Sequence, residues 1–144
     1  LIDDVERFVD EKGLGPDALS VDLPAFRDIL SDARAYLKST LMNQSRIAGI
    51  GNIYSDEILF QAGMHPKKKS DSLSEQDSRE LHRSMKRVLE MAVARKADPD
   101  KLPRTYLLPH RSKGGNCPRC GGEVRKISVS GRNGWYCPAC QKND

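Results

Sequence analysis

The sequence predicts a mainly α fold, in which a helical body is followed by a small β-hairpin that a metal ion holds together. Three observations lead to this fold class. Apolar residues recur at helical spacing over much of the first hundred residues, whereas the last thirty or so contain four cysteines and two β-prone runs. A chain of 144 residues buries one modest core, and its cysteine-rich end is too short to fold without a metal.

The four cysteines form two Cys-X-X-Cys pairs. Cys117 and Cys120 form the first pair, sixteen residues follow, and Cys137 and Cys140 form the second. Each pair allows one tight turn to present two sulfurs to one ion, and two such turns complete the tetrahedral shell that zinc prefers. Disulfides are the alternative, but no segment resembles a secretory signal and there is no further cysteine. We therefore expect one structural Zn²⁺ ion at these residues.

Charge is unevenly distributed along the chain. Residues 1–100 carry 15 Lys and Arg against 18 Asp and Glu, whereas residues 101–144 carry 9 against 2. So basic a segment is typical of a polyanion-binding surface, with nucleic acid the commonest partner, although a solvated surface without a partner is the alternative. No apolar run approaches the roughly 20 residues that span a bilayer, so we expect a soluble protein in a reducing compartment.

The helical body is predicted over residues 1–98. Apolar residues at helical spacing predict a first helix in residues 1–13, and the lack of an initiating methionine indicates a fragment. A second helix is expected to begin near Asp22 and Pro24. Its apolar stripe, which we expect in the core, consists of Phe26, Ile29, Leu30, Ala33 and Leu37.

A turn with two glycines precedes the next predicted helix. Gly49 and Gly51 can adopt backbone angles closed to other residues, and Asn52 has the position of a helix N-cap. Gly63 is expected to end this helix. A turn that directs backbone N–H groups and a helix N-terminus outward is suited to bind phosphate. From the pattern alone, a tight corner with a capping asparagine remains an open alternative.

A long helix and a basic linker follow. Ser74 and Asp77 have capping-box spacing, and an apolar face then recurs over about 20 residues until Asp98-Pro99. Residues 99–114 contain prolines, glycines and basic side chains, which predict a linker that lies over the body.

The cysteine-rich module spans residues 115–144 and contains a predicted hairpin. Two β-prone runs flank residues 130–134, which end in an Asn-Gly pair typical of hairpin turns. Arg132 is therefore expected at the tip of a zinc-clamped hairpin, where its guanidinium can enter a groove or donate two hydrogen bonds to phosphate. An exposed arginine without a partner is the alternative.

Two stretches resemble a known family. QSRIAGIGNIYSDEILFQAGMHP, followed by a long helix and then by CPRC and SGRNGWYCPACQ, resembles the C-terminal part of the formamidopyrimidine-DNA glycosylase and endonuclease VIII family of base-excision repair enzymes. LGPDAL resembles the same family's linker into its helical domain. The resemblance covers nearly the whole chain. It implies a helix-two-turns-helix domain with a zinc-finger hairpin, and a bacterial, cytoplasmic monomer that binds damaged double-stranded DNA.

The resemblance also implies roles for single residues. The family's GIGN asparagine, matched by Asn52 within the turn of Gly49 and Gly51, contacts phosphate at the lesion. The arginine of its zinc-finger turn, matched by Arg132, contacts the backbone around the flipped nucleotide. Together they would hold a kinked duplex so that a damaged base can leave the stack.

The family's chemistry is carried out on an N-terminal β-sandwich domain that this sequence does not contain. There a terminal proline amine attacks the sugar C1′, assisted by a glutamate and a lysine. Neither Leu1 nor Ile2 can replace that proline. We therefore expect no catalytic residue in this chain: the parent would be a bifunctional glycosylase and AP lyase, and the fragment alone would be inactive.

Some questions of function stay open. The interval before the zinc finger is shorter than in typical members and lacks room for the loop that closes over the oxidised base, so an oxidised purine, an oxidised pyrimidine or an abasic site are all possible targets. A non-catalytic nucleic-acid module is one alternative, because a similar helical unit occurs in a ribosomal protein and a topoisomerase. A zinc module for protein contact is another, and DNA binding that is weak and insensitive to salt would indicate it.

Overall fold

The computed structural model describes residues 15–94, 106–112 and 114–142. The helix predicted in residues 1–13 and the predicted helix end at Asp98-Pro99 lie outside them. No helix among the described residues is long and apolar enough to cross a membrane. The main elements are α1 (Leu23–Asp32), α2 (Leu37–Met42), α3 (Asn52–Ala62), α4 (Glu75–Ala94), β1 (Arg125–Val129) and β2 (Arg132–Tyr136).

Helix α1 begins where the sequence predicts. The side chain of Asp22 caps it by accepting a hydrogen bond of 2.9 Å from the amide of Ala25. The predicted apolar stripe is wrong at its end, because α1 stops at Asp32 and Leu37 begins the separate helix α2. The amide of Leu37 donates instead to the carbonyl of Lys68 at 2.7 Å, so pairing with a distant loop replaces continuation of the helix. The side chain of Leu37 is nevertheless buried.

Helix α3 begins one residue earlier than a capping Asn52 would require. Gly51 is the N-cap, no side chain caps it, and Asn52 is the first helical residue, so the predicted capping role is wrong. Gly63 ends the helix as predicted. It adopts the left-handed conformation at φ 72°, and its amide donates to the carbonyls of Leu59 and Phe60.

The capping box of α4 is confirmed. The amide of Asp77 donates to the Ser74 hydroxyl at 3.1 Å, and the amide of Ser74 donates to the Asp77 carboxylate at 3.5 Å. The predicted apolar face of α4 is buried: it consists of Leu81, Met85, Val88, Leu89 and Ala92.

Helix α3 lies in the middle of the molecule, since residues 55–60 are all buried. Ile58 and Leu59 belong to the main core, which they share with α1, α2 and α4. Phe60 belongs to a second apolar cluster, in which it meets Leu107 and the cysteine-rich module. Because α3 is buried on several sides, it lacks the polar face of a surface helix. Its contacts with both clusters join the helical body to the hairpin.

Strands β1 and β2 form the predicted antiparallel hairpin. Its turn is Ser130-Gly131, whose φ angles of 51° and 81° are both positive, as a two-residue type I′ loop requires. The predicted turn was longer, and the Asn133-Gly134 pair lies inside β2 instead. Arg132 is consequently the first residue of β2, directly after the turn.

Candidate nucleic-acid interface and metal centre

The four predicted metal ligands form one cluster. Their sulfurs all lie within 4.8 Å of one another, with 3.8 Å between Cys117 and Cys140 and 3.4 Å between Cys120 and Cys137. A zinc ion with Zn–S bonds of about 2.3 Å places tetrahedral sulfurs roughly 3.8 Å apart. The arrangement therefore fits one structural Zn²⁺ ion.

Local electrostatics favour a cation at this centre. The amide of Gly122 donates to the sulfur of Cys120 at 3.4 Å and is the main cause that lowers the pKa of this thiol to about 7. Burial, followed by the neighbouring thiols, raises the pKa of Cys140. A bound zinc ion would favour the deprotonated form of all four cysteines, including Cys140, because its positive charge stabilises thiolates.

The metal centre is joined directly to the end of α3. Gln141 is fully buried; its side-chain oxygen accepts from the amide of Cys137 at 2.8 Å, and its side-chain nitrogen donates to the carbonyl of Met64 at 2.9 Å. Arg119 donates to the carbonyl of Phe60 at 3.3 Å and lies over its ring. Sequence reasoning missed these contacts, since neither a terminal Gln nor an Arg inside a knuckle indicates a partner.

The glycine turn presents open backbone. Gly49 has a φ of 103°, and a Cβ at either Gly49 or Gly51 would meet no atom of the described chain within 4 Å. No side chain caps the N-terminus of α3 that follows, so the amides of its first turn remain available. This combination of open backbone and positive helix dipole is suited to an anion.

Asn52 joins this turn to the hairpin. Its side-chain nitrogen donates to the carbonyl of Asn133 at 2.8 Å across 81 positions of sequence, while its side-chain oxygen is buried and meets no hydrogen-bond partner in the described chain. The neighbouring Arg132 is exposed, and no carboxylate of the described residues forms an ion pair with it. The hydrogen bond thus links Asn52, which follows the glycine turn, to Asn133, which follows Arg132.

Asp56 is a central residue of this region that the sequence did not single out. Its carboxylate accepts from Lys38 at 2.5 Å, from Arg111 at 2.9 and 3.1 Å, and from the amide of Trp135 at 3.0 Å. The side chains of Lys38 and Asp56 are both 0% exposed. Burial lowers the pKa of Lys38, and Asp56 counteracts part of that effect.

Glu57 makes a parallel connection to the segment before the metal centre. Its carboxylate accepts from the amide of Leu107 at 2.8 Å and from Gln61 at 3.0 Å. In the sequence, Asp56 and Glu57 are two adjacent acidic residues. Adjacent carboxylates normally indicate an exposed face, so their burial could not be predicted without the partners that three distant segments supply.

Two family models match the chain. The formamidopyrimidine-DNA glycosylase H2TH domain matches residues 14–102, and the zinc finger found in FPG and IleRS matches residues 114–143. Among curated relatives, the chain is 36% identical over 146 residues to a formamidopyrimidine-DNA glycosylase of Heliobacterium modesticaldum, covering 90% of this chain and 51% of the relative. It is 37% identical over 142 residues to that of Thermus thermophilus, covering 89% and 53%.

Solved structures agree with these matches. The complex between the Lactococcus lactis Fpg and DNA containing an abasic site aligns with a TM-score of 0.83 and 31% identity, over 98% of this chain and 56% of that chain. A complex of the same enzyme with DNA containing Fapy-dG aligns with a TM-score of 0.81 and 32% identity, over 98% and 56%. The chain therefore spans about half the length of the relatives it matches.

Proposed function

The chain belongs to the formamidopyrimidine-DNA glycosylase family, and from this premise we propose that it binds damaged double-stranded DNA as the C-terminal half of a base-excision repair enzyme. One observation carries the proposal most directly. The hydrogen bond from Asn52 to Asn133 joins the N-terminus of α3 to the residue after Arg132, and it supports a single DNA-binding surface formed by the two predicted contacts. The relatives of known structure were solved with abasic-site and Fapy-dG DNA.

On this surface each group has a distinct part in the proposal. Asn52 and the backbone at Gly51 bind a phosphate near the lesion, because they offer neutral N–H donors at a helix N-terminus. Gly49, whose own amide donates to the side chain of Gln44 at 2.9 Å, leaves open space for the phosphate to approach. Arg132 donates two hydrogen bonds to a second phosphate. Two fixed phosphate contacts would stabilise the kinked duplex from which a damaged base is extruded.

The proposal extends to the parent enzyme. It would remove oxidised bases and cleave the abasic site in the bacterial cytoplasm, with its catalytic residues outside this chain. Residues 1–98, 99–114 and 115–144 would serve as the DNA-binding helical domain, the linker and the zinc finger of a monomer. The 144-residue chain alone should form no Schiff base with damaged DNA, and a covalent adduct trapped with borohydride would contradict this part of the proposal.

The test of DNA binding is fluorescence anisotropy of the zinc-loaded chain. Two duplexes are compared across a salt series, one undamaged and one with a stable abasic-site analogue at its centre. We expect tighter binding to the abasic duplex and an affinity that falls steeply with salt, because phosphate contacts release counterions. Weak binding without salt dependence would refute the proposal, and preferential binding of structured RNA would favour a different nucleic-acid partner.

Matched variants locate the interface. Arg132→Ala should lower affinity about tenfold, as the loss of one charge-assisted hydrogen-bonded contact predicts, and should reduce the salt slope by about 1. Asn52→Ala should lower affinity without a comparable change of slope, since its side chain is neutral. Arg125→Ala removes the same charge from the exposed opposite end of the hairpin and serves as the control. Equal effects of Arg132→Ala and Arg125→Ala would mean that the hairpin contributes only overall charge.

A further inference from the structure

We propose that Asp56 is a positioning residue, which fixes the zinc hairpin on the helical body so that Arg132 and Asn52 stand at the spacing that DNA binding requires. The inference rests on the proposed function. Asp56 itself is buried and would touch no DNA. Its effect would be transmitted through the backbone of β2.

The contacts of Asp56 join four parts of the chain. One carboxylate oxygen accepts from Lys38 in α2, while the other accepts from Arg111 before the metal centre and from the amide of Trp135 in β2. Asp56 itself belongs to α3. Every donor has a preferred direction, so the carboxylate restrains the relative position of these segments more tightly than apolar packing would.

Overall stability does not account for this arrangement. Removing two charges from water costs free energy that their attraction only partly returns, and well-packed apolar residues often stabilise as much or more. A buried charge network is, in contrast, suited to select one geometry among several packed alternatives. Here it selects the position at which the hairpin contacts α3.

Gly134 shows how closely the hairpin approaches this network. A Cβ atom at this position would lie 2.5 Å from the Asp56 carboxylate and 3.0 Å from the Lys38 ammonium. Neither group can move aside easily, because both are fully buried and hydrogen-bonded. The glycine that resembled a turn residue in the sequence is therefore needed for contact between β2 and α3.

The anchor lies close to both proposed DNA contacts. Asn52 precedes Asp56 by about one helical turn, roughly 6 Å of rise along α3. Arg132 precedes Trp135 by three residues, roughly 10 Å along β2. Hydrogen bonds from Asn52 to Asn133 and between Ser39 and Ser130 restrain the same end of the hairpin. Release of β2 at Trp135 would thus let Arg132 move relative to Asn52.

The test compares the effect of Arg132→Ala in two backgrounds. One is the unaltered chain, and the other carries Asp56→Asn together with Lys38→Met and Arg111→Met, so that none of the three paired charges stays buried without a partner. We expect Arg132→Ala to weaken abasic-duplex binding about tenfold in the unaltered chain, equivalent to 1.4 kcal/mol, and less than twofold in the altered background. An equal loss in both backgrounds would overturn the positioning role. No loss in the unaltered chain would instead refute the DNA-binding role of Arg132.

A second variant tests the same contact from the hairpin and leaves the buried charges in place. Gly134→Ala should displace β2 from Asp56 and should likewise abolish the effect of Arg132→Ala. Trp135 is the only tryptophan of the chain, so its emission should shift to the red in this variant while one zinc ion per chain is retained. Asp28→Asn, which alters an exposed carboxylate of α1, is the control. Unchanged emission together with a full Arg132→Ala effect would overturn the inference.

Discussion

Asn52 illustrates how the contacts of one residue can differ from those that its local sequence predicts. Its position after two glycines suggested an N-cap, but Gly51 takes that place. The side chain is thereby released to donate to Asn133 on the hairpin. A cap is a local interaction that sequence can indicate, whereas a bond across 81 positions depends on how the two units pack.

His65 provides a prediction about pH at the scale of a single residue. Its ring accepts a hydrogen bond from the amide of Lys67 at 2.9 Å and packs edge-on against Tyr136 of the hairpin. Burial, and then the charge of Lys67, lower the pKa of His65 below 6.5. The neutral ring therefore stabilises the fold fully above pH 6.5, and this contribution is lost as the pH falls through the lowered pKa.

The expected result is a stability difference that depends on pH. His65→Asn retains an acceptor for the Lys67 amide but cannot titrate. The free energy of unfolding of the unaltered chain should therefore fall more steeply than that of His65→Asn between pH 7 and about 5.5. Urea titrations of both proteins at each pH measure the difference, which cancels effects common to both, such as protonation of the zinc ligands. Parallel pH curves would contradict the prediction.

Among the elements, α4 was the easiest to predict because its signals are local. Its capping box and its apolar face both follow from residues within one stretch of sequence.

Ser74→Ala should lower the free energy of unfolding by about 1 kcal/mol, since the amide of Asp77 loses its acceptor. Gln76→Ala at an exposed position of the same first turn is the control for a change in helix propensity. If both variants unfold at the same urea concentration, the cap contributes nothing.

The buried face of α4 gives a larger expected effect. Leu81→Ala should destabilise the chain by about 2–5 kcal/mol, because it removes a fully buried side chain from the main core. Val93→Ala, at a side chain that is 66% exposed, should change stability by less than about 0.5 kcal/mol. Thermal and urea unfolding of the two variants measure these changes in the free energy of unfolding. Similar values for the two variants would mean that α4 does not pack as described.

Helix α3 was harder to predict, because its residues pack against two different units, the main core and the cysteine-rich module. Its sequence has apolar residues and carboxylates on several sides, which does not give a clear amphipathic pattern. Ile58 and Leu59 face the main core, Phe60 faces the cysteine-rich module, and Asp56 and Glu57 bind backbone and side chains of the later chain. The burial of α3 can therefore be explained only when the main core and the cysteine-rich module are considered together.

At the scale of the whole molecule, zinc removal should unfold the cysteine-rich module but leave most of the helical body folded. The main core is formed by the four helices and the segments before and between them, together with Tyr106, and contains no cysteine, whereas the second cluster contains Cys117 and Cys137 themselves. Chelation should therefore shift Trp135 emission to the red and lower DNA affinity, while most of the helical circular dichroism signal persists. Cys137→Ser should reproduce these effects without a chelator. Loss of the helical signal in parallel with zinc would show that the body depends on the metal for folding.

The sequence by itself determined the fold class, the zinc ligands, the family and most helix positions. These properties depend on local patterns: ligand spacing, apolar periodicity and capping residues. The hairpin was also predicted, but its turn was displaced, because Asn133-Gly134 carries a strong turn pattern that the actual register does not use. Ser130-Gly131 provides the turn, and Gly134 serves the close contact with Asp56.

The tertiary structure alone decided how the two units face each other. The carboxylate of Asp56 receives donors from Lys38, Arg111 and Trp135, which are far apart in the sequence and show no common pattern. Long-range hydrogen bonds among buried polar groups leave no periodic signal, because each depends on the packing of several segments at once. For the same reason the hydrogen bond from Asn52 to Asn133, the neighbour of Arg132, became visible only in the folded chain.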